Sequence, residues 1–310
     1  MTRWNRALPW IALVVVYLVW GSTYLGIRVA VETIPPYLMT GVRYFVAGSL
    51  MFALQWVVTK GKPALPSRAE LVRIAIVAVL LLVLGNGLLC VAETRVESGT
   101  AALLLAGTPI WMLLLDALRS RTAPSGAAIA GLVLGTAGIA ILVGKSAGHS
   151  DVLFACIILI ASISWAAGSV YARGNDYQPT TAALEMTAGG LFCLVVGLVT
   201  GEPAHLKIAA ISGPSLWGMV WLITAGAMLG YSAFAYAVRT LPTATVATYG
   251  YVNPVVAVIL GTLILHEPVT WRILAGGAAV IASVVLILLG NRKLADEEVL
   301  KLTQPDRSTS

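Results

Sequence analysis

The chain has 310 residues, of which 58% are hydrophobic and 11% are charged, and its formal net charge is +6. A soluble domain carries roughly 25% charged residues, so this composition excludes an ordinary water-soluble fold. Three cysteines and three histidines are scattered along the chain without metal or redox spacing, so no cofactor and no metal site is expected.

Ten hydrophobic stretches follow one another from Leu8 to Gly290, and almost every ionisable residue lies in the short gaps between them. Each is about as long as the roughly 20 residues that a helix needs to cross a bilayer. The predicted spans are Leu8 to Ile27, Tyr37 to Thr59, Leu71 to Val91, Gly99 to Asp116, Gly126 to Val143, Val152 to Tyr171, Thr181 to Thr200, Ser215 to Val238, Ala244 to Leu265 and Trp271 to Leu289. The sequence therefore predicts an all-α, multi-pass membrane protein without a separate catalytic domain.

The distribution of Lys and Arg predicts the orientation. With a cytoplasmic N-terminus, fourteen of the 20 lie on the inner side and six on the outer side. Those six are Arg28, Arg43, Arg95, Lys145, Lys207 and Arg272. The positive-inside rule then favours cytoplasmic termini in a bacterial inner (plasma) membrane, with the lipid bilayer as a partner. Because this asymmetry accounts for the net charge, no nucleic-acid partner is expected.

An internal repeat is found when the chain is shifted by 145 positions. The shift superposes five spans on five others and aligns several identical residues. The aligned pairs are Trp20 with Trp165, Arg28 with Arg173, Gly85 with Gly230, Pro109 with Pro254, Leu115 with Leu260 and Gly131 with Gly276. Since each copy has an odd number of spans, the second copy must enter the membrane in the opposite direction, which predicts inverted repeats typical of transporters. Duplication without a mechanistic role is the alternative.

Several short runs resemble the EamA-type permeases of the drug/metabolite transporter superfamily. They are Trp20-Gly21-Ser22-Thr23-Tyr24, Pro35-Pro36, Gly41-Val42-Arg43, Gly85-Asn86-Gly87, Ser164-Trp165, Gly168-Ser169-Val170-Tyr171, and Tyr251-Val252-Asn253-Pro254-Val255-Val256-Ala257 followed by Glu267. The resemblance covers nearly the whole chain. It implies two EamA repeats of five helices each, at 8–143 and 152–289, followed by a charged cytoplasmic tail at 291–310. It also implies export of amino acids, related metabolites or toxic small molecules.

One departure from the family pattern concerns an acidic residue. The resemblance leads us to expect a Gly-Glu pair after the fourth helix of each repeat. The second copy keeps Glu267, whereas the first copy has Arg119-Ser120-Arg121. A role shared symmetrically by the two copies is therefore not expected at this position.

Charged residues inside spans are functional candidates because they are costly in hydrocarbon. Arg43 lies six residues into the second span and has Ala188 as its counterpart. We expect it to hold a substrate carboxylate or an internal carboxylate such as Glu93, and snorkelling to the headgroups is the alternative. Glu93 and Glu185 are the candidates for proton coupling, again with snorkelling as the alternative.

Aromatic and polar residues within the spans are further substrate-binding candidates, and helix packing is the alternative for each. These candidates are Trp20, Tyr24, Asn86, Thr108, Trp165, Tyr231, Ser232, Tyr249 and Asn253. Pro109 and Pro254 lie midway in equivalent spans and predict helix kinks. Gly131 and Gly135, and likewise Gly226 and Gly230, have the spacing that permits close helix contact.

Enzyme motifs fail on inspection. Gly144-Lys145-Ser146 lacks the correctly spaced glycine of a phosphate loop, and His266-Glu267 lacks a second histidine. The sequence therefore predicts a secondary transporter, not an enzyme, that works by alternating access on a small-molecule substrate. Protons are a second partner if transport is coupled to a proton gradient. The sequence does not decide between a monomer and a homodimer. A membrane receptor or scaffold and an intramembrane enzyme are the alternatives.

Overall fold

The computed structural model describes residues 3–61, 66–121, 125–143, 149–172, 179–241, 246 and 248–303. Over these residues the chain is helical and contains no strand. The helices are α1 Arg3–Ala30, α2 Pro36–Val58, α3 Arg68–Ala92, α4 Ser98–Leu105, α5 Thr108–Ser120, α6 Gly126–Val143, α7 His149–Ala172, α8 Pro179–Val199, α9 at 213–240, α10 Tyr249–Leu265 and α11 Trp271–Thr303. Together α4 and α5 occupy the fourth predicted span.

Helix length and hydropathy agree with a membrane location. Six helical stretches in the described residues are long and apolar enough to cross a bilayer, and three further apolar helices are shorter. Large apolar side chains also cover the outside of the bundle; Val199, for example, is 82% exposed. In water such a surface would be unfavourable, whereas lipid tails solvate it. The protein is an all-α, multi-pass membrane protein.

Local sequence explains where several helices begin and end. Pro36 occupies the first position of α2, where a missing backbone donor costs nothing. Ser67 and Glu70 form a reciprocal capping box at the start of α3. Helix α11 continues to Thr303, because no Gly or Pro interrupts the residues after Gly290. The first part of the predicted tail is therefore helical, and residues 304–310 lie outside the described residues.

Two spans contain π-helical segments that the sequence did not predict. They are Val79–Gly87 in α3 and Leu222–Leu229 in α9. The 145-residue shift places the first segment on 224–232, so the two segments overlap in the two copies. A π-helical turn widens the helix and is found mostly at functional sites.

The fourth predicted span is interrupted. Helix α4 ends at Leu105, a turn covers Ala106 and Gly107, and α5 begins at Thr108 with Pro109 in its first turn. Pro109 lacks the backbone donor that an uninterrupted helix would need. Its counterpart Pro254 lies inside α10, which continues through it.

The two repeats run in opposite directions, as the contacts of α2 with α8 demonstrate. These helices are counterparts under the 145-residue shift, and they pack against each other. Gly41 contacts Leu194, Gly190 contacts Phe45, and Gly48 contacts Thr187. The residue numbers rise along α2 while those of the partners fall along α8, so equivalent helices are antiparallel. Inverted repeats are thereby confirmed.

Helices α6 and α11 form a second pair of counterparts with reciprocal contacts. Gly131 packs against Ile287, and the equivalent contact joins Leu142 to Gly276. Gly135 packs against Ser283, and its equivalent joins Gly138 to Val280. Each contact recurs with the roles of the two repeats exchanged, which is the signature of a pseudo-two-fold axis. The glycines permit this close approach.

Candidate functional site at the junction of the repeats

The paired tryptophans of the two repeats make reciprocal contacts across the junction. Trp20 of α1 packs on Gly230 of α9, and Trp165 of α7 packs on Gly85 of α3. A methyl group at Gly230 would lie 2.5 Å from Trp20 Nε1, and one at Gly85 would lie 2.9 Å from Trp165 Cε3. All four residues were aligned by the 145-residue shift. The duplication therefore preserves an interface as well as a sequence pattern.

Both π-helical segments accept hydrogen bonds from the opposite repeat. Trp20 Nε1 donates to the Gly226 carbonyl at 3.2 Å, and Ser164 Oγ donates to the Leu80 carbonyl at 2.8 Å. A widened turn leaves carbonyls that the helix itself does not satisfy, and inside a membrane protein these need other donors. Helices α1 and α7 supply the donors, so each repeat stabilises the irregular helix of the other.

Arg43 lies inside the protein next to one of these segments. Its side chain is 4% exposed, and a methyl group at Gly226 would lie 3.3 Å from Arg43 Nη2. The guanidinium carbon stands 4.7 Å from the centre of the Tyr44 ring. Nε and Nη1 have no hydrogen-bond partner among the described residues. A buried guanidinium with free donors is costly, so a ligand that brought an acceptor would be favoured here.

Glu93 is a second buried ionisable group in this region. It is 0% exposed, and neither carboxyl oxygen has a partner within the described chain. Arg28 Nη1 donates to its backbone carbonyl rather than to its carboxyl group. Arg28, Arg43 and Glu267 all lie close enough to act on its charge. Tyr24 of α1, another predicted residue, also lies near Glu93.

An aromatic cluster joins α1, α9 and α10. The ring of Trp20 lies 5.0 Å from that of Phe234 and 5.3 Å from that of Tyr249, and Phe234 and Tyr249 are 5.6 Å apart. All three side chains are half-buried. Two of them were predicted, whereas Phe234 was missed because a lone Phe in an apolar span carries no signal of its own.

Two of the family-like runs meet between α1 and α10. Gly21 packs against Val256 and the Asn253 carbonyl. The Asn253 amide nitrogen, oriented as its neighbours require, donates to the carbonyls of Tyr17 and Tyr249 at 3.3 and 3.2 Å. Asn253 therefore ties the ninth span to the first.

Three other predicted residues also lie at helix contacts. Asn86 is buried within the π-helical segment of α3. Thr108 Oγ1 is 2.9 Å from Ser162 Oγ and so links α5 to α7. Tyr231 packs near Tyr44 in a cluster of α2, α3, α8 and α9.

Two other predicted residues have different surroundings. Ser232 is exposed and donates its hydroxyl to the Met228 carbonyl of its own helix. Glu185 is half-buried on α8, where Arg73 is the cation that acts on its charge. In the described residues no cluster of His, Cys, Asp and Glu could hold a metal ion.

Residues that the sequence analysis did not single out complete the site. Thr23 and Tyr44 flank the guanidinium of Arg43. Tyr44 directly follows Arg43, and Thr23 belongs to the same run as Trp20. Their positions beside Arg43 and Trp20 in the sequence were the available signal. The sequence did not show which face of each helix contacts the other repeat.

The EamA-like transporter family model matches residues 8–144 and 152–289. This chain belongs to the EamA-like transporter family. It is 37% identical over 298 residues to the uncharacterized inner membrane transporter YedA of Escherichia coli K12, covering 93% of each chain. It is also 22% identical over 308 residues to a probable amino-acid metabolite efflux pump of Salmonella typhimurium, covering 93% of this chain and 97% of that one.

The fold of this EamA-type transporter is also similar to a solved crystal structure. That protein is 15% identical and superposes with a TM-score of 0.61 over 91% of this chain and 97% of its own. At this identity the likeness concerns the fold alone. The two family matches correspond to the two repeats. Trp20 and Trp165 each contact the repeat to which they do not belong.

Proposed function

We propose that this EamA-type protein exports small metabolites by alternating access around the junction of its two repeats. Its substrates are amino acids, related metabolites or amphipathic toxic compounds, and it works in the inner (plasma) membrane with both termini in the cytoplasm. The observation that carries the proposal is the buried guanidinium of Arg43, whose Nε and Nη1 have no hydrogen-bond partner among the residues that the structure describes. A substrate carboxylate would supply the missing acceptors.

The surroundings of Arg43 suit a small amphipathic substrate. Trp20 and Tyr249 offer apolar ring surface, and Glu93 places a carboxyl group within electrostatic reach of Arg43. A metabolite with a carboxylate and an apolar or amino portion would match these features. The Salmonella relative named as a probable amino-acid metabolite efflux pump supports this substrate class.

The inverted repeats support the transport mechanism. Because equivalent helices are antiparallel, exchanging the conformations of the two copies would convert an opening on one side into an opening on the other. The reciprocal Trp20–Gly230 and Trp165–Gly85 contacts provide matched positions around which such an exchange can occur. The driving force is either proton exchange, with Glu93 or Glu185 as the coupling group, or the solute's own gradient.

A transport screen tests this proposal. Labelled amino acids and amphipathic cations are offered to proteoliposomes with and without an imposed pH gradient. Substrate-specific uptake or counterflow that is lost in empty liposomes is expected. A protein that moves none of these compounds, or that converts one of them chemically, would contradict the proposal.

The Arg43 variants test the site itself. Arg43→Ala should reduce transport by roughly 30-fold or more, since the substitution removes the buried charge proposed to bind the substrate carboxylate. Arg43→Lys should recover part of the loss, because the charge is kept while the planar fork is lost. Arg95→Ala is the matched control, as Arg95 is exposed. Normal transport by both Arg43 variants would assign this residue a purely structural role.

A further inference from the structure

Glu267 reaches from the loop after α10 to the first turn of α4. Its carboxylate accepts hydrogen bonds from Ser98 N at 2.8 Å, Ser98 Oγ at 3.0 Å and Gly99 N at 3.1 Å. These donors belong to the N-terminus of α4, where backbone N–H groups lack partners within the helix. Glu267 belongs to the second repeat and α4 to the first, so this cap joins the two repeats.

Glu202 makes an equivalent kind of cap on α2. Its carboxylate accepts from Tyr37 N at 3.0 Å and from Leu38 N at 2.8 Å. Two further bonds lie beside it, from Ser212 N to Thr33 Oγ1 and from Ser215 Oγ to the Val29 carbonyl. Every one of these bonds again joins the second repeat to the first.

These bonds gather four loops at one end of the bundle, which we name the capped end. It comprises residues 31–35, 93–97, 200–212 and 266–270. The orientation predicted from Lys and Arg places it on the outer side. Any opening of the molecule toward this side has to move helices of one repeat away from the other. The two carboxylate caps join the repeats at this place, so such a movement would break them.

The first repeat lacks the residues to build the same caps at the other end. The 145-residue shift places Val57 at the position of Glu202 and Thr122 at that of Glu267. The stretches 54–61 and 117–124 contain neither Asp nor Glu. The two repeats therefore differ at both cap positions, and the departure from the family pattern at 119–121 belongs to one of these two differences.

We propose that Glu202 and Glu267 form a latch that holds the capped end closed and biases the transporter toward opening at the opposite end. This inference rests on the alternating access proposed above. Each carboxylate neutralises the positive end of a helix macrodipole, and opening would expose both helix ends at once. Because the first repeat has Val57 and Thr122 at the two equivalent positions, the two halves of the transport cycle differ in free energy although the repeats are similar.

Cys90 is a built-in reporter for this latch. It lies on α3 within one turn of the capped end and is 0% exposed. In a background with Cys156→Ser and Cys193→Ala it is the single thiol. An impermeant maleimide added to intact cells or to inside-out vesicles then reads its access from each side separately.

The test compares Glu202→Gln, Glu267→Gln and the double variant with Glu32→Gln, an exposed acid at the same end. The double variant should raise the labelling rate of Cys90 from the capped side by roughly tenfold, about the factor by which a lost helix cap changes an equilibrium. Labelling from the other side should change little. Ser98→Ala, which removes one of the three bonds to Glu267, should give a smaller rise.

Unchanged labelling in the double variant would overturn the latch. So would an equal rise from both sides with a lower melting temperature, since this would report general loosening. These readouts are independent of substrate. A wild-type protein that transports while its latch variants label normally would refute the latch alone, whereas a protein that transports nothing would refute the proposed function.

Discussion

At the scale of single residues, the site depends on a few polar groups that are buried without a hydrogen-bond partner in the described part of the chain. Arg43 was singled out as a charge within the second span and Glu93 as a charge at the outer end of the third, and both are buried. The neighbours of Arg43 could not be predicted, since Tyr44 and Thr23 are ordinary residues until the helices are packed. Conversely, Ser232 has a polar side chain of the expected kind but bonds within its own helix.

Energy coupling is predicted at the same scale. If protons drive export, Glu93→Gln should abolish stimulation by a pH gradient and leave substrate counterflow intact, because counterflow requires only the alternating site. Transport into proteoliposomes with and without the gradient measures this effect. Glu185→Gln is the comparison, since Glu185 is the other candidate for the coupling group. Should both variants keep full stimulation, neither carboxylate is the coupling group.

At the scale of helices, hydropathy predicted where the helical stretches lie but not their irregularities. The π-helical segments of α3 and α9 accept hydrogen bonds from neighbouring helices. Ser164 and Trp20 supply two of these donors from the opposite repeat. A pattern of apolar residues does not identify such partners. The alignment of Gly85 with Gly230 by the repeat was the one sequence signal that pointed to these contacts.

Substitution of these glycines should destabilise the junction. Gly85→Ala and Gly230→Ala bring a methyl group within 2.9 and 2.5 Å of a tryptophan, and overpacking of this kind costs about 1–3 kcal/mol. Thermal unfolding in detergent should therefore show lower melting temperatures for both. Gly126→Ala is the control, since a methyl group there meets nothing within 4 Å. Equal melting temperatures for all three variants would contradict the packing assigned to Trp20 and Trp165.

At the scale of the whole molecule, the predicted orientation in the membrane rests on the distribution of Lys and Arg and has a direct test. Single cysteines at Ala69 and Ala209 lie at opposite ends of the bundle, and both positions are exposed. After replacement of the native cysteines, Ala209→Cys should react with an impermeant thiol reagent in intact cells, and Ala69→Cys should react only after permeabilisation. The reverse pattern would invert the orientation and move the capped end to the cytoplasm.

The antiparallel pairing of equivalent helices has a consequence for how such a chain could assemble. At the α6–α11 contact, Gly131 meets Ile287 and Leu142 meets Gly276, so the interface is nearly self-complementary, like that of an isologous dimer. Two polypeptides cut between residues 144 and 151 and expressed together should therefore find each other in the membrane. Co-purification of the halves, with recovery of transport, is the expected result. A five-helix half on its own would expose the glycine faces of α2 and α6. A second copy of that half has the surface best shaped to cover these faces, so the half alone should form a homodimer.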